Sequence, residues 1–212
     1  KAISELMRVS GELTLALRAM DAFVAAAADA PQARYSKAVL LTQCGLMREA
    51  HDAVLRLPPD VPDRAGRAYV LGNTAMTMGR AEEARAFLEE SLKHRPGWGP
   101  AWLTMATAVD LARDPLGERL LADEAAAQNQ GPGDRARYFY AVGKLHADRA
   151  EHDRAFAAFA QGARLLRSET PYSRVGNESH ARQAMSGFGA GVIEKFNARR
   201  ARDTGRPIFV TG

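Results

Sequence analysis

At 212 residues, 46% apolar and 25% charged, the chain has the composition of a soluble globular protein, with enough apolar side chains to offset the entropy of ordering. Its longest apolar stretch, Ala22 to Ala30, is too short for a bilayer and carries Asp29, while a single Cys44 excludes an internal disulfide framework and points to a reducing, cytoplasmic setting. The net charge of +4 gathers late, with nine basic against four acidic residues from Arg164 to Arg206, so no whole face carries a nucleic-acid footprint.

In chain order, small residues recur at a fixed interval. Gly11, Gly45 and Gly79 are 34 residues apart, as are Ala16, Ala50 and Ala84, and Pro62 and Pro96. The first segment, with Gly11, Ala16 and Met20, carries only the second half of a unit. Ala38, Leu41, Ala50, Val54 and Pro62 make a looser second unit. The third is fuller, with Ala68, Leu71, Gly72 and Ala75, then Ala84 and Leu88, then Pro96. A fourth starts correctly at Trp102, Met105, Ala106 and Val109, but Leu111-Ala-Arg-Asp-Pro115 interrupts it and Glu118 stands where a small residue is wanted. The stretch 99–135 is therefore irregular, with a helix expected from about Leu116 to Gln128 and Asp134 as cap of the next helix. Phe139, Val142, Gly143 and His146, followed by Ala155 and Phe159, complete a fifth unit.

This period and pattern resemble the tetratricopeptide repeat (TPR), a pair of antiparallel helices. Gly72, Ala106 and Gly143 let the second helix approach the first, and Ala84 and Ala155 do the same from the other side. Leu88 and Phe159 are expected between neighbouring units, Gly79 in a turn needing positive φ, and Pro62 and Pro96 at unit boundaries. The fold expected is all-α, a TPR-type α-solenoid over residues 1–169: a right-handed superhelix of antiparallel helix pairs with C-terminal capping helices. A generic helical bundle with accidental spacing is the alternative.

Residues 170–205 read as a helical cap and linker. Ser168-Glu-Thr-Pro171 breaks the preceding helix, and from about Asn177 to Asn197 the stripe Met185, Phe188, Val192 and Phe196 would cover the open end of a solenoid. Lys195, Arg199, Arg200 and Arg202 read as a solvated face. Residues 206–212, Arg206-Pro-Ile-Phe-Val-Thr-Gly212, are strand-like. A lone strand needs a sheet, so a sheet domain is expected to follow.

The order of features resembles bacterial proteins in which a TPR array precedes a sulfotransferase domain. The likeness rests on Phe139-Tyr-Ala-Val-Gly-Lys144, Asp153-Arg-Ala-Phe-Ala157, Pro171-Tyr172 and, most specifically, Arg206 to Gly212. In that family such a strand runs into a phosphosulfate-binding loop of the form Pro-Arg-Ser-Gly-Thr-Thr, which here would begin just after Gly212. The resemblance implies a parent enzyme that uses PAPS to sulfate a protein, peptide or glycan, with that sulfotransferase domain as a partner of the array. No catalytic, cofactor-binding or metal-binding residue is carried over to this chain.

Other constellations carry no chemistry. His146 and His152 are off any one helical face, HExxH is missing, and Gly187-Phe-Gly-Ala-Gly191 lacks the strand a dinucleotide loop needs. Cys44 and His51 have no reason to meet, and Asn177-Glu-Ser179 is a glycosylation sequon of consequence only in a secreted protein. The function expected is an interaction module, with a protein or peptide in a concave groove lined by Tyr35, Val39, Tyr69, Asn73, Leu103, Thr107, Tyr140 and Lys144. Asn73 matches the carboxylate clamp of chaperone-binding TPRs, but Thr104 and Ala141 stand where its polar or basic partners are wanted, which disfavours a chaperone tail. The enzymatic parent is the alternative, and a nucleic-acid-binding solenoid a distant third; neither nucleic acid nor membrane is expected as partner.

Overall fold

The computed structural model describes residues 2–167, 172–187, 191–192 and 194–195, and the chain divides into two compact units, residues 1–169 and 170–212. In the first unit α1 (Ala2–Val9) pairs with α2 (Leu13–Ala26), α3 (Pro31–Gln43) with α4 (Met47–Leu55), and α5 (Arg64–Thr77) with α6 (Ala81–His94). The turns between them are alike. Gly11, Gly45 and Gly79 take φ of +80°, +78° and +76°, the left-handed geometry that closes a helix and that only glycine adopts without strain. Pro31 starts α3 from the first turn, and the Asp63 carboxylate caps α5 by accepting the Gly66 N–H at 2.8 Å.

Small residues set the approach of paired helices. A Cβ on Gly72 would lie 2.7 Å from Leu88 Cγ, and one on Gly143 2.5 Å from the Phe159 ring. Leu88 is fully buried and joins the next unit's core, as the spacing predicts. Phe159 packs on Gly143 of its own pair in the same way but remains 37% exposed. The first half-unit of the sequence reading gains a short first helix, α1, whose buried Ser4 donates to the Ala16 carbonyl at 2.9 Å.

The irregular stretch departs most from expectation. After α7 (Gly99–Ala108) the chain loops through the buried Leu111 and forms two short helices, α8 (Leu116–Ala122) and α9 (Glu124–Gln128), in place of one. The break is at Asp123, whose Oδ2 accepts both the Gly97 N–H at 3.1 Å and the Trp102 indole N–H at 3.0 Å. Anchoring that carboxylate to the preceding loop turns the backbone out of helical register. The small residue wanted at 118 is supplied one place earlier by buried Gly117, and exposed Glu118 accepts from Arg149 at 2.7 Å. Nor does Asp134 cap α10 (Pro132–Asp148): Gly131 holds that place, while Asp134 lies in the first turn and accepts the Trp98 indole N–H at 3.0 Å.

α7 packs chiefly on α10, and α10 pairs with α11 (His152–Arg167). One apolar cluster unites Leu88, Trp98, Trp102, Met105, Leu120, Tyr138 and Leu145, and a smaller one Ala38, Val54, Val70 and Leu71. In the second unit α12 (Arg174–Gly187) has no buried residue and Met185 is exposed. Phe188 and Phe196 of the expected capping stripe, and the expected strand Arg206 to Gly212, lie outside the described residues. Among the described residues there is no strand, and no helix is long and apolar enough to cross a membrane.

Candidate functional site

A pair repeated every 34 residues returns equivalent side chains to one face of the array. Tyr35, Tyr69 and Leu103 form one such row and Val39, Asn73 and Thr107 another, with Tyr140 and Lys144 continuing them after the longer fourth unit. All eight lie on the first helices of their pairs, α3, α5, α7 and α10. None is buried: Thr107 is exposed and the other seven half-buried. Their helix neighbours Ala38, Gly72, Ala106 and Gly143 are buried, so each row stands at the edge of the packed seam.

Two clefts gather members of these rows. Tyr35 and Val39 line one of about 370 Å³ with Glu5, Met20, Gln32 and Gln43. Thr107 and Lys144 line another of about 400 Å³ with Asp110, Arg113 and Asp148. Tyr69 and Leu103 pack against the main apolar cluster, Tyr69 meeting Trp98 edge-on with ring centroids 4.9 Å apart. The Arg95 guanidinium lies 4.4 Å over the same Trp98 ring. Tyr140 leans on Phe159 at 6.4 Å.

The charges of this face are largely answered locally. Lys144 pairs with Asp148 one turn on, and Glu5 with Arg8, whose hydrogen bond holds the Glu5 carboxyl below its ordinary value. Burial, reinforced by Asp63, pushes the Tyr35 hydroxyl up to about 12, so at neutral pH it stays protonated and can donate. The surface thus offers aromatic and aliphatic area with neutral donors and acceptors, a chemistry suited to peptide backbone more than to a dense anion. The clamp positions agree in kind: Thr104 donates to its own Pro100 carbonyl at 3.0 Å, and Ala141 is buried.

Glu5 escaped the sequence reading although it stands 34 residues before Val39; reading the first unit as a half-unit hid it. Two bonds between consecutive pairs had no sequence signal. His51, 2% exposed on α4, contacts Thr74 of α5 through Nδ1 at 2.8 Å. Thr74 Oγ1 also lies 2.8 Å from the Val70 carbonyl oxygen; with its proton directed there His51 Nδ1 donates, and with the other imidazole tautomer the hydroxyl donates to Nδ1. One unit later Arg85 donates to Asp114 at 2.6 and 3.3 Å. Among the described residues no group of three His, Cys, Asp or Glu could hold a metal ion.

No model of a known protein family matches the chain, and no curated protein matches it. Solved structures do. MamA covers 80% of this chain and 98% of its own at 17% identity, with a TM-score of 0.52. MamA 41-end from Desulfovibrio magneticus RS-1 covers 79% and 93% at 20% identity, TM-score 0.53. YrrB, a TPR protein with an unusual peptide-binding site, covers 76% and 82% at 20% identity, TM-score 0.46. The likeness to MamA shows the fold alone: an all-α solenoid of tetratricopeptide helix pairs.

Proposed function

We propose that the chain is a protein-interaction scaffold whose first-helix face takes an extended peptide segment of a partner, with no catalytic step of its own. The observation carrying this reading is the row register: aromatic or apolar Tyr35, Tyr69, Leu103 and Tyr140 beside Val39, Asn73, Thr107 and Lys144, all left unburied on successive first helices. Spacing of one unit per pair matches an extended strand read in steps, its backbone bonded by Asn73 and Thr107 and its side chains held by the tyrosines. The test is selection of random dodecapeptides on the folded chain, followed by titration of the winners. Tyr35→Ala and Asn73→Ala should each weaken binding about tenfold, as removal of about 1.4 kcal/mol would. Winners indifferent to both substitutions place recognition elsewhere and sink the reading.

The sulfotransferase parent and its PAPS are supported by sequence alone, chiefly by Arg206 to Gly212, and a cytoplasmic setting by the single Cys44. Under this second reading the array would hold the acceptor beside a downstream catalytic domain. Calorimetry of residues 1–212 with PAPS should show no heat, and a coding sequence continuing Pro-Arg-Ser-Gly-Thr-Thr would carry the enzyme. Any other continuation removes it.

A further inference from the structure

The rows of the first-helix face have a pitch, and an extended segment can follow it in only one of its two common conformations. Tyr35 and Tyr69 both pack on the smaller apolar cluster, Tyr69 and Leu103 both on the larger one, and α7 packs on α10, so the first helices stand side by side along the row. Packed helices lie about 8–10 Å apart, which sets the step from one row residue to its equivalent on the next helix. A β-strand returns a side chain to the same face after two residues, about 6.7 Å, or after four, about 13 Å. Polyproline II returns it after three, at about 9.3 Å. An α-helix comes round after about seven residues, near 10.5 Å, but spends its backbone carbonyls within itself.

The free groups of the face decide between the last two. Among the described residues the hydroxyls of Tyr35, Tyr69 and Tyr140 and the side-chain amide of Asn73 have no hydrogen-bond partner, whereas the buried Tyr138 hydroxyl donates to the Leu120 carbonyl at 2.5 Å. The nearby carboxylates are already engaged: Asp148 by Lys144, Glu5 by Arg8, and Asp63 by Arg95 and the Gly66 N–H. The face therefore holds spare donors on tyrosine rings and few spare acceptors. A proline-rich segment is the complement: every carbonyl is free to accept, its prolines bring no N–H to be satisfied, and its rings lie well on aromatic ones. The Thr107 oxygen, whose proton goes to the Thr104 carbonyl at 2.7 Å, remains for the N–H of a residue between prolines. Resting on the reading of the first-helix face as a peptide site, we propose that the segment it takes is proline-rich and in the polyproline II conformation. A proline at each third residue meets successive rows, and the tyrosine hydroxyls donate to its carbonyls.

The test is fluorescence anisotropy of labelled peptides on the 212-residue chain, with dodecaproline as the first probe. Dodecaproline should bind saturably and displace peptides selected on the same face. Its affinity should fall about fivefold on Tyr35→Phe and on Tyr69→Phe, which keep the ring and remove one hydrogen bond, with circular dichroism checking that each variant folds. Two dodecapeptides of one composition, four prolines among serines and glutamines, test the pitch. Prolines at every third residue should bind about tenfold tighter than prolines at every second. If dodecaproline fails to bind while selected peptides need Tyr35 and Asn73, the proline preference is overturned and the peptide site stands. Selected peptides indifferent to both residues remove the site, and the preference with it. Dodecaproline held equally by wild type and both phenylalanine variants, or equal affinity for the two spacings, also overturns the proposal.

Discussion

Ala150 repeats the turn position of Gly11, Gly45 and Gly79 and takes the same left-handed backbone, φ +58°, with a side chain that disfavours it. A residue with Cβ there costs about 1 kcal/mol relative to glycine. Ala150→Gly should therefore stabilise the chain by about 1 kcal/mol, raising the melting temperature by roughly 2–4 °C. No gain in urea or thermal unfolding would show that the turn is not strained. The paired glycines divide by what they face. At Gly72 a new methyl meets Leu88, fully buried with nowhere to turn, so Gly72→Ala should lose about 1–2 kcal/mol even after the helix-propensity gain of roughly 1 kcal/mol. At Gly143 the neighbour is the 37%-exposed Phe159, which can swing outward, and the same change should cost about 0.5 kcal/mol or less. Equal losses at both would refute the distinction. The period made the glycines legible in the sequence, but Ala150 was not, because nothing in an alanine announces positive φ.

Among elements, the fourth unit is where the sequence could not be read through. In this 37-residue unit the small position falls at Gly117 and not at 118; Asp134, which looks like helix punctuation, and Asp123, inside the expected helix, are instead acceptors for the indoles of Trp98 and Trp102. A carboxylate aimed at a buried indole leaves no trace in local spacing. Asp123→Ala would strip acceptors from the Gly97 N–H and from the buried Trp102 indole, a loss of about 3 kcal/mol; Asp123→Asn keeps one oxygen and should lose about half as much. Chemical denaturation of the pair of variants decides this, and a neutral alanine variant would show that the hydrogen bonds are incidental. The brace from Arg85 to the loop before α8 adds a pH dependence. The Leu116 N–H, then the Arg85 guanidinium, hold the Asp114 carboxyl below its ordinary value. A lowered value in the folded chain contributes stability that is present above the unfolded carboxylate value of about 4 and is lost as the pH falls through the folded one. Asp114→Asn should thus be less stable near neutrality and lose less on acidification below about pH 4. Parallel acid limbs for the two proteins would remove Asp114 from the account.

For the whole molecule, the fold and the candidate groove were legible together, since both follow from one period. Tyr35, Tyr69 and Leu103 could be named as a row only because Ala38, Gly72 and Ala106 set the register. The division of that row between two clefts was not legible, as it depends on where Glu5 and the loop around Asp110 come to rest. A stacked array has one further property that a single-core domain lacks: its stability is summed from neighbouring pairs and need not be uniform. Trp98, Trp102 and Tyr138 belong to the larger cluster, built from α5 to α11, whereas α3 to α5 share a smaller one. Buried residues of α1 and α2 are fewer, and three of the four, Ala16, Met20 and Val24, come from α2 alone. Unfolding should begin at this end and move inward. Both tryptophans report only on the larger cluster, so in urea the loss of helical circular dichroism should start before any change in their fluorescence. Hydrogen exchange should rank α7 and α10 slowest and α1 fastest. Coincident transitions by both probes would mean that the junctions couple the pairs so strongly that the array unfolds as one body.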